Sequence, residues 1–105
     1  MMKVVVENDK ILNYLLKVRS RNDKSKFLNK LGFYEYNWQL LKDEIIQIFH
    51  DNPKALTEEN EYGNIYNVTG ILKGPNNTNL HVKTIWINLN TSNEIRFVTL
   101  FPDRS

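Results

Sequence analysis

No cysteine occurs among the 105 residues, which excludes disulfides, thiol nucleophiles and cysteine-based zinc sites together. Histidine is nearly missing too. His50 and His81 are far apart and lack any HxxxH spacing, so neither a metal site nor a cofactor is expected. No apolar run approaches the length of a bilayer span, and residues 4–6 fall far short of a signal-peptide core. No membrane partner is expected, and the chain itself carries no address, so the cytoplasm is its expected location. Paired carboxylates suited to hydrolysis are absent, because the acids gather in residues 51–61. The Gly74-Pro75-Asn76-Asn77 stretch lacks the GxxxxGK spacing and precedes no helix, so it reads as a turn rather than a phosphate loop.

What is present fits one domain over residues 1–105, large enough for a single core. The net charge of +2 argues for little, but its distribution says more. Lys10, Lys17, Arg19, Arg21, Lys24, Lys26 and Lys30 face a single nearby acid, Asp23, whereas Asp51, Glu58, Glu59 and Glu61 oppose only Lys54. A local excess of cations attracts phosphates through steering and counterion release. A solvated helix face with its flanking loop is the plain alternative. Fifteen asparagines alongside many Lys and Ile residues reflect genome bias, so the sequons at Asn67, Asn76 and Asn90 are read as accidental.

Apolar spacing at Ile11, Tyr14, Leu15 and Val18 predicts a helix over residues 9–18, with Asp9 as its cap. A basic loop, residues 19–23, separates it from a short helix over 24–31 that Gly32 ends. Asn37 stands as N-cap for a third helix whose stripe is Trp38, Leu41, Ile45, Ile48 and Phe49, stopped by Asn52-Pro53. The acidic stretch beyond is a loop or edge connection. Strands follow over 65–72, 80–88 and 94–101, joined by Asn-rich turns. The fold class is α+β, with N-terminal helices on one face of a small antiparallel sheet, a meander of three or four strands.

Alternation sorts these strands into two faces. Tyr66, Val68, Leu72, Leu80, Val82, Trp86, Phe97 and Phe101 share the parity that helices should cover, with Thr84 and Thr99 as polar exceptions. His81, Lys83 and Arg96 share the other with Asn67, Thr69, Ile85, Ile87, Val98 and Leu100. Cleaving RNA without a metal requires a base, an acid, and cations or donors that stabilise the charged phosphorane. His81, Lys83 and Arg96 supply these types on one stiff surface, with Arg21 or Lys24 arriving from the basic loop. Plainer readings exist: His81 as an ordinary strand residue, Lys83 as a guard of an open face, Arg96 as the partner of Glu94. His50, in the last turn of its helix, is read as structural. Tyr62 and Tyr66 are aromatics beside cations, the combination that stacks on unpaired bases.

A longer pattern runs through the chain: Lys24-x-Lys26-Phe27-Leu28, Leu31-Gly32-Phe33, Trp38, Tyr62-Gly63, Tyr66-x-Val68-x-Gly70, Leu72, Gly74-Pro75-Asn76, residues 82–87 and residues 96–102. It resembles an uncharacterised bacterial domain found as short stand-alone proteins and at the C-termini of polymorphic toxins. That family usually has a His-Pro-Gly-like stretch before the lysine, where this chain has Arg19-Ser20-Arg21-Asn22-Asp23. Lys83 stands where the family often has Arg. The order of helices and sheet is similar to the barnase, colicin and RelE ribonuclease toxins, an analogy of fold alone.

The resemblance implies a toxin domain acting as a metal-independent ribonuclease on tRNA or mRNA, delivered into a target cell's cytoplasm if part of a larger secreted toxin. Its expected partners are RNA and a cognate antitoxin or immunity protein. His81, Lys83, Arg96, Thr84 and Thr99 are the catalytic candidates, and Arg21, Lys24, Lys26 and Tyr66 the RNA-binding ones. Thr84 and Thr99 then lie on the face opposite the three charged candidates, unless a bulge shifts one strand. A non-catalytic binding module, an antitoxin, immunity or phage-defence partner, is the alternative.

Overall fold

Hydrophobic burial organises the chain as a five-stranded mixed sheet with its helices on one face. The computed structural model describes residues 3–21 and 23–104. Strand β1 (Lys3–Val5) leads into a short helix α1 (Asn8–Lys10) and a π-helical turn (Ile11–Leu15). Helix α2 (Ser25–Lys30), a 3₁₀ turn (Glu35–Asn37) and helix α3 (Trp38–Asp51) follow. Strands β2 (Ala55–Glu59), β3 (Gly63–Lys73), β4 (Asn79–Leu89) and β5 (Glu94–Pro102) complete the sheet. No helix among the described residues is long and apolar enough to cross a membrane.

The sheet order is β1-β5-β4-β3-β2. The expected meander is present as β3-β4-β5, all antiparallel. Two strands escaped the sequence reading. The acidic connection contains β2, an exposed edge strand whose Glu58 lies opposite Ile65. At the other edge β1 pairs in parallel with β5, Lys3 opposite Glu94 and Val5 opposite Arg96, so the sheet is mixed rather than antiparallel throughout. Three residues carry too little periodicity to announce a strand.

The core lies between the sheet and the helices. Leu41, Ile45, Ile48 and Phe49 of α3 are buried, as their spacing predicts. Phe49 packs on Trp86 with ring centroids 4.7 Å apart, and Trp86 meets Phe97 at 5.4 Å. Beneath them Trp86 donates its indole N–H to the Thr84 hydroxyl at 2.7 Å, which donates to the Val68 carbonyl at 2.7 Å. Every polar atom of that buried trio is thereby partnered.

The first helix departs from expectation. Its last turn widens, with the Leu16 N–H bonding back five residues to Ile11 O at 3.0 Å. Ile11, Leu15 and Leu16 are buried, whereas Val18 is 76% exposed and outside the helix. Asp9 does not cap it; its carboxylate accepts from Asn13. Asn37 does precede α3, but its side chain accepts from the Tyr34 N–H and donates to Gly32 O. Helix α2 ends at Gly32 with φ of 100°, a conformation glycine adopts without strain. The β3–β4 turn closes onto this end: Asn76 donates its side-chain amide to Lys30 O at 2.6 Å, and a Cβ at Gly74 would lie 2.0 Å from Leu31 O. The Leu31-Gly32 and Gly74-Pro75-Asn76 segments of the sequence pattern are therefore one contact.

Candidate functional site

The uncovered face of β4 and β5 carries the polar residues, and a bulge decides which ones. Trp86 lies opposite Phe97, but the next β4 residue back, Ile85, lies opposite Thr99, leaving Val98 as the inserted residue. Alternation in β5 therefore slips by one. Arg96, before the bulge, and Thr99 and Phe101, after it, share the open face, while Leu100 is buried. The expectation for β5 was the reverse beyond Val98, with Thr99 and Phe101 covered and Leu100 open. One extra residue corrects all three.

On the open face Lys83 lies directly opposite Phe101, and Ile85 opposite Thr99. Lys83 and Thr99 are thus diagonal neighbours, with separations of about 7–8 Å between such pairs. Elements from the chain's start join them. The Tyr14 hydroxyl, projecting from the π-helical turn, lies 2.8 Å from the Thr99 hydroxyl. Lys10 Nζ and the Arg19 guanidinium stand 5.2 and 5.3 Å from the Tyr14 ring centroid, and Lys24 Nζ stands 5.8 Å from that of Phe101. Two hydroxyls, two aromatic rings and four cations thus meet along one edge of the sheet.

Lys24 is held there by local structure. Asp23 accepts from the Ser25 backbone N–H and hydroxyl, ordering the entry to α2. These bonds, the hydroxyl's first and the backbone's second, lower the Asp23 pKa from the usual carboxylate value. Asn22, in the middle of the basic loop, lies outside the described residues.

The other candidates are dispersed. His81 is exposed two residues before Lys83 on the same face, about 7 Å along the strand. It borders a groove of about 430 Å³ lined also by Glu44, Asp51, Asn52, Thr69 and Asp103. Arg96 is opposite Ile87, four residues from Lys83 along β4 and about 13 Å away. Its guanidinium is ion-paired with Glu7 and, at 2.9 Å, with Glu94, so it clips the end of β1 to β5. Thr84 is fully buried on the helix side, its hydroxyl committed to Trp86 and Val68. Tyr66 lies on that side as well, as its parity predicts, opposite Trp86 and partly buried against the core, away from the open face where an RNA-binding role would put it. Arg21 and Lys26 are exposed near Lys24 in sequence, without an ion pair among the described residues. The described residues contain no cluster of three metal-binding side chains.

Sequence reasoning missed Tyr14 and Phe101, and took Lys10 and Arg19 only as part of the basic segment. Tyr14 had been absorbed into a helical apolar stripe and Phe101 into the covered strand face. The available signal was Tyr14 itself, a hydroxyl-bearing residue within a basic segment, but nothing in the sequence tied it to Thr99.

Residues 1–104 match the model of a family described as a Domain of unknown function (DUF6883). No curated protein matches the chain. Among solved structures, the fold is similar to a chain from a contact-dependent growth inhibition toxin–immunity protein complex of Klebsiella pneumoniae 342. The TM-score is 0.76 at 18% identity, over 96% of this chain and 94% of that one. At that identity the likeness is one of fold.

Proposed function

The chain belongs to the DUF6883 family, a domain of unknown function, and we propose that it is a toxin-type ribonuclease acting on tRNA or mRNA without a metal. The observation that carries this reading is the Tyr14–Thr99 hydroxyl pair at 2.8 Å, bordered by Lys10, Arg19, Lys24 and Lys83. A phosphodiester would lie with its non-bridging oxygens toward Lys83 and Lys24. The neighbouring ribose 2′-hydroxyl attacks phosphorus and gives up its proton, and the bond to the 5′-oxygen breaks as that oxygen takes one. The products are a 2′,3′-cyclic phosphate and a 5′-hydroxyl end, with no other reactant consumed.

Lys83 and Lys24 offset the charge that grows on the phosphorane. Thr99 and Tyr14 orient the attacking hydroxyl, whereas His81, four residues and about 13 Å along β4 from the position opposite Thr99, stands outside reach of its proton. Arg96 and Thr84 leave the catalytic set, because one is occupied by two glutamates and the other is sealed in the core.

The fold likeness supports a toxin-related or an immunity role. The cationic rim around a hydroxyl pair favours the RNA-cleaving half over a non-catalytic immunity module, and a cognate antitoxin or immunity protein is then the expected protein partner. Inducing the chain alone in cells tests this: growth should stop, and extracted RNA should carry new ends at defined positions. Lys83→Ala combined with Thr99→Val should abolish both. Normal growth, uncut RNA in vitro and tight binding to a toxin protein would instead support the immunity reading.

A further inference from the structure

The row of residues that runs across the open face from Thr99 leads to the amide of Asn67. Thr99 lies opposite Ile85, and Ile85 lies opposite Asn67 on β3, so the three form one line across three strands. Asn67 is half-buried and its side chain has no hydrogen-bond partner among the described residues. Several other asparagines are spent locally: the amides of Asn60, Asn76, Asn88 and Asn90 brace turns. On one side of Asn67 the face is apolar, with Ile65 on β3 and Ile87 beside Ile85 on β4, and on the other side lie Thr69 and Lys83. A half-buried amide between an apolar floor and a cation is the arrangement of a reading site.

We propose that Asn67 reads the edge of an unpaired nucleobase whose own phosphate is held at Lys83 and Thr99. This rests on the ribonuclease reading above and adds to it the choice of base. Asn67 and Thr99 stand two strand spacings apart, about 10 Å, a span that one nucleotide bridges between phosphate and base edge. The base lies flat on Ile85 and Ile87, which accept its apolar face, and leaves its polar edge toward β3. The amide offers one donor and one acceptor side by side, so it pairs with a base edge that offers the complement. Recognition of RNA sequence works mainly on such splayed, unpaired bases. Continuity with the cationic rim selects this occupant: the phosphate anchor fixes where the base must fall.

The test uses a single-stranded RNA library randomised around one position, cut by the intact protein and sequenced at the new ends. Wild type should favour one base beside the cut. Asn67→Ala should reduce that preference about tenfold or more. Asn67→Asp, which only accepts, should shift preference toward bases presenting a donor; it also covers the case in which the alanine variant fails to fold. Cleavage by wild type without base preference, or an unaltered preference in both variants, overturns the role of Asn67. No cleavage by wild type overturns the ribonuclease reading itself, and the two failures are thus distinct.

Discussion

Thr84 and Thr99 look alike in sequence, each a lone hydroxyl in an apolar strand, yet the fold sends them to opposite faces. Thr84→Val keeps the shape but strips the Trp86 indole of its acceptor, so it should destabilise the protein by about 1–3 kcal/mol in urea denaturation. Cleavage per folded molecule should be unchanged. Thr99→Val should behave inversely, with the melting temperature held and cleavage reduced about 10²- to 10³-fold. Tyr14→Phe tests the same hydroxyl pair, and combining it with Thr99→Val should cost much less than the sum of the two, because both remove one shared interaction. Equal loss of stability and activity in either variant would assign that residue to the fold. Alternation alone puts Lys83 on the open face, where the structure has it. Arg96 follows its plainer reading as the partner of Glu94, two residues away in β5, and is joined by Glu7 from a segment that only the fold brings near.

Elements were legible in proportion to the regularity of their patterns. Helix α3 was foreseen because five apolar residues repeat at helical spacing over its length, and β3 to β5 because aromatic and β-branched residues alternate. A strand bulge is one of the sequence's open alternatives, but its place in β5 and the π-helical turn are not legible, since each inserts one residue that fits its element: Val98 is a good strand former. Those two insertions bring Thr99 and Tyr14 together, so local irregularity builds the site while regular pattern builds the scaffold. The contact between α2 and the β3–β4 turn leaves no room for a methyl, and Gly74→Ala should cost at least about 1–3 kcal/mol, measured by thermal melting. At the start of α2, Asp23→Ala should lower stability through loss of its bonds to Ser25. Because those bonds lower the Asp23 pKa in the folded chain, the wild-type advantage is full above the ordinary carboxylate pKa of about 4. It is lost as pH falls through the depressed folded value. Melting curves of both proteins across acid pH should therefore converge at the low end.

Across the whole molecule, charge is segregated along the sheet. The cations Lys10, Arg19, Lys24 and Lys83 border the β4–β5 side, whereas Glu58 and Glu59 occupy the β2 edge, three strands away from β5. That separation is about 14 Å, beyond the Debye length at physiological salt. Single-stranded RNA binding by the Thr99→Val variant should weaken steeply with salt, with a log–log slope of about −2 to −3 if four phosphate contacts form. Lys83→Ala should reduce the slope by roughly one contact, about 0.7. Reversing Glu58 and Glu59 to Lys should leave it unaltered. A flat salt response would remove phosphate binding from this face.

The parallel pairing of β1 with β5 also fixes where cargo can be tethered. Lys3 sits beside Glu94, while Phe101 lies seven residues further along the same strand, about 23 Å away. A linker, label or carrier spliced ahead of Lys3 thus departs from the end of the molecule remote from the hydroxyl pair. An affinity handle at that position should leave turnover intact, whereas one appended beyond Arg104 would hang close to the proposed catalytic edge.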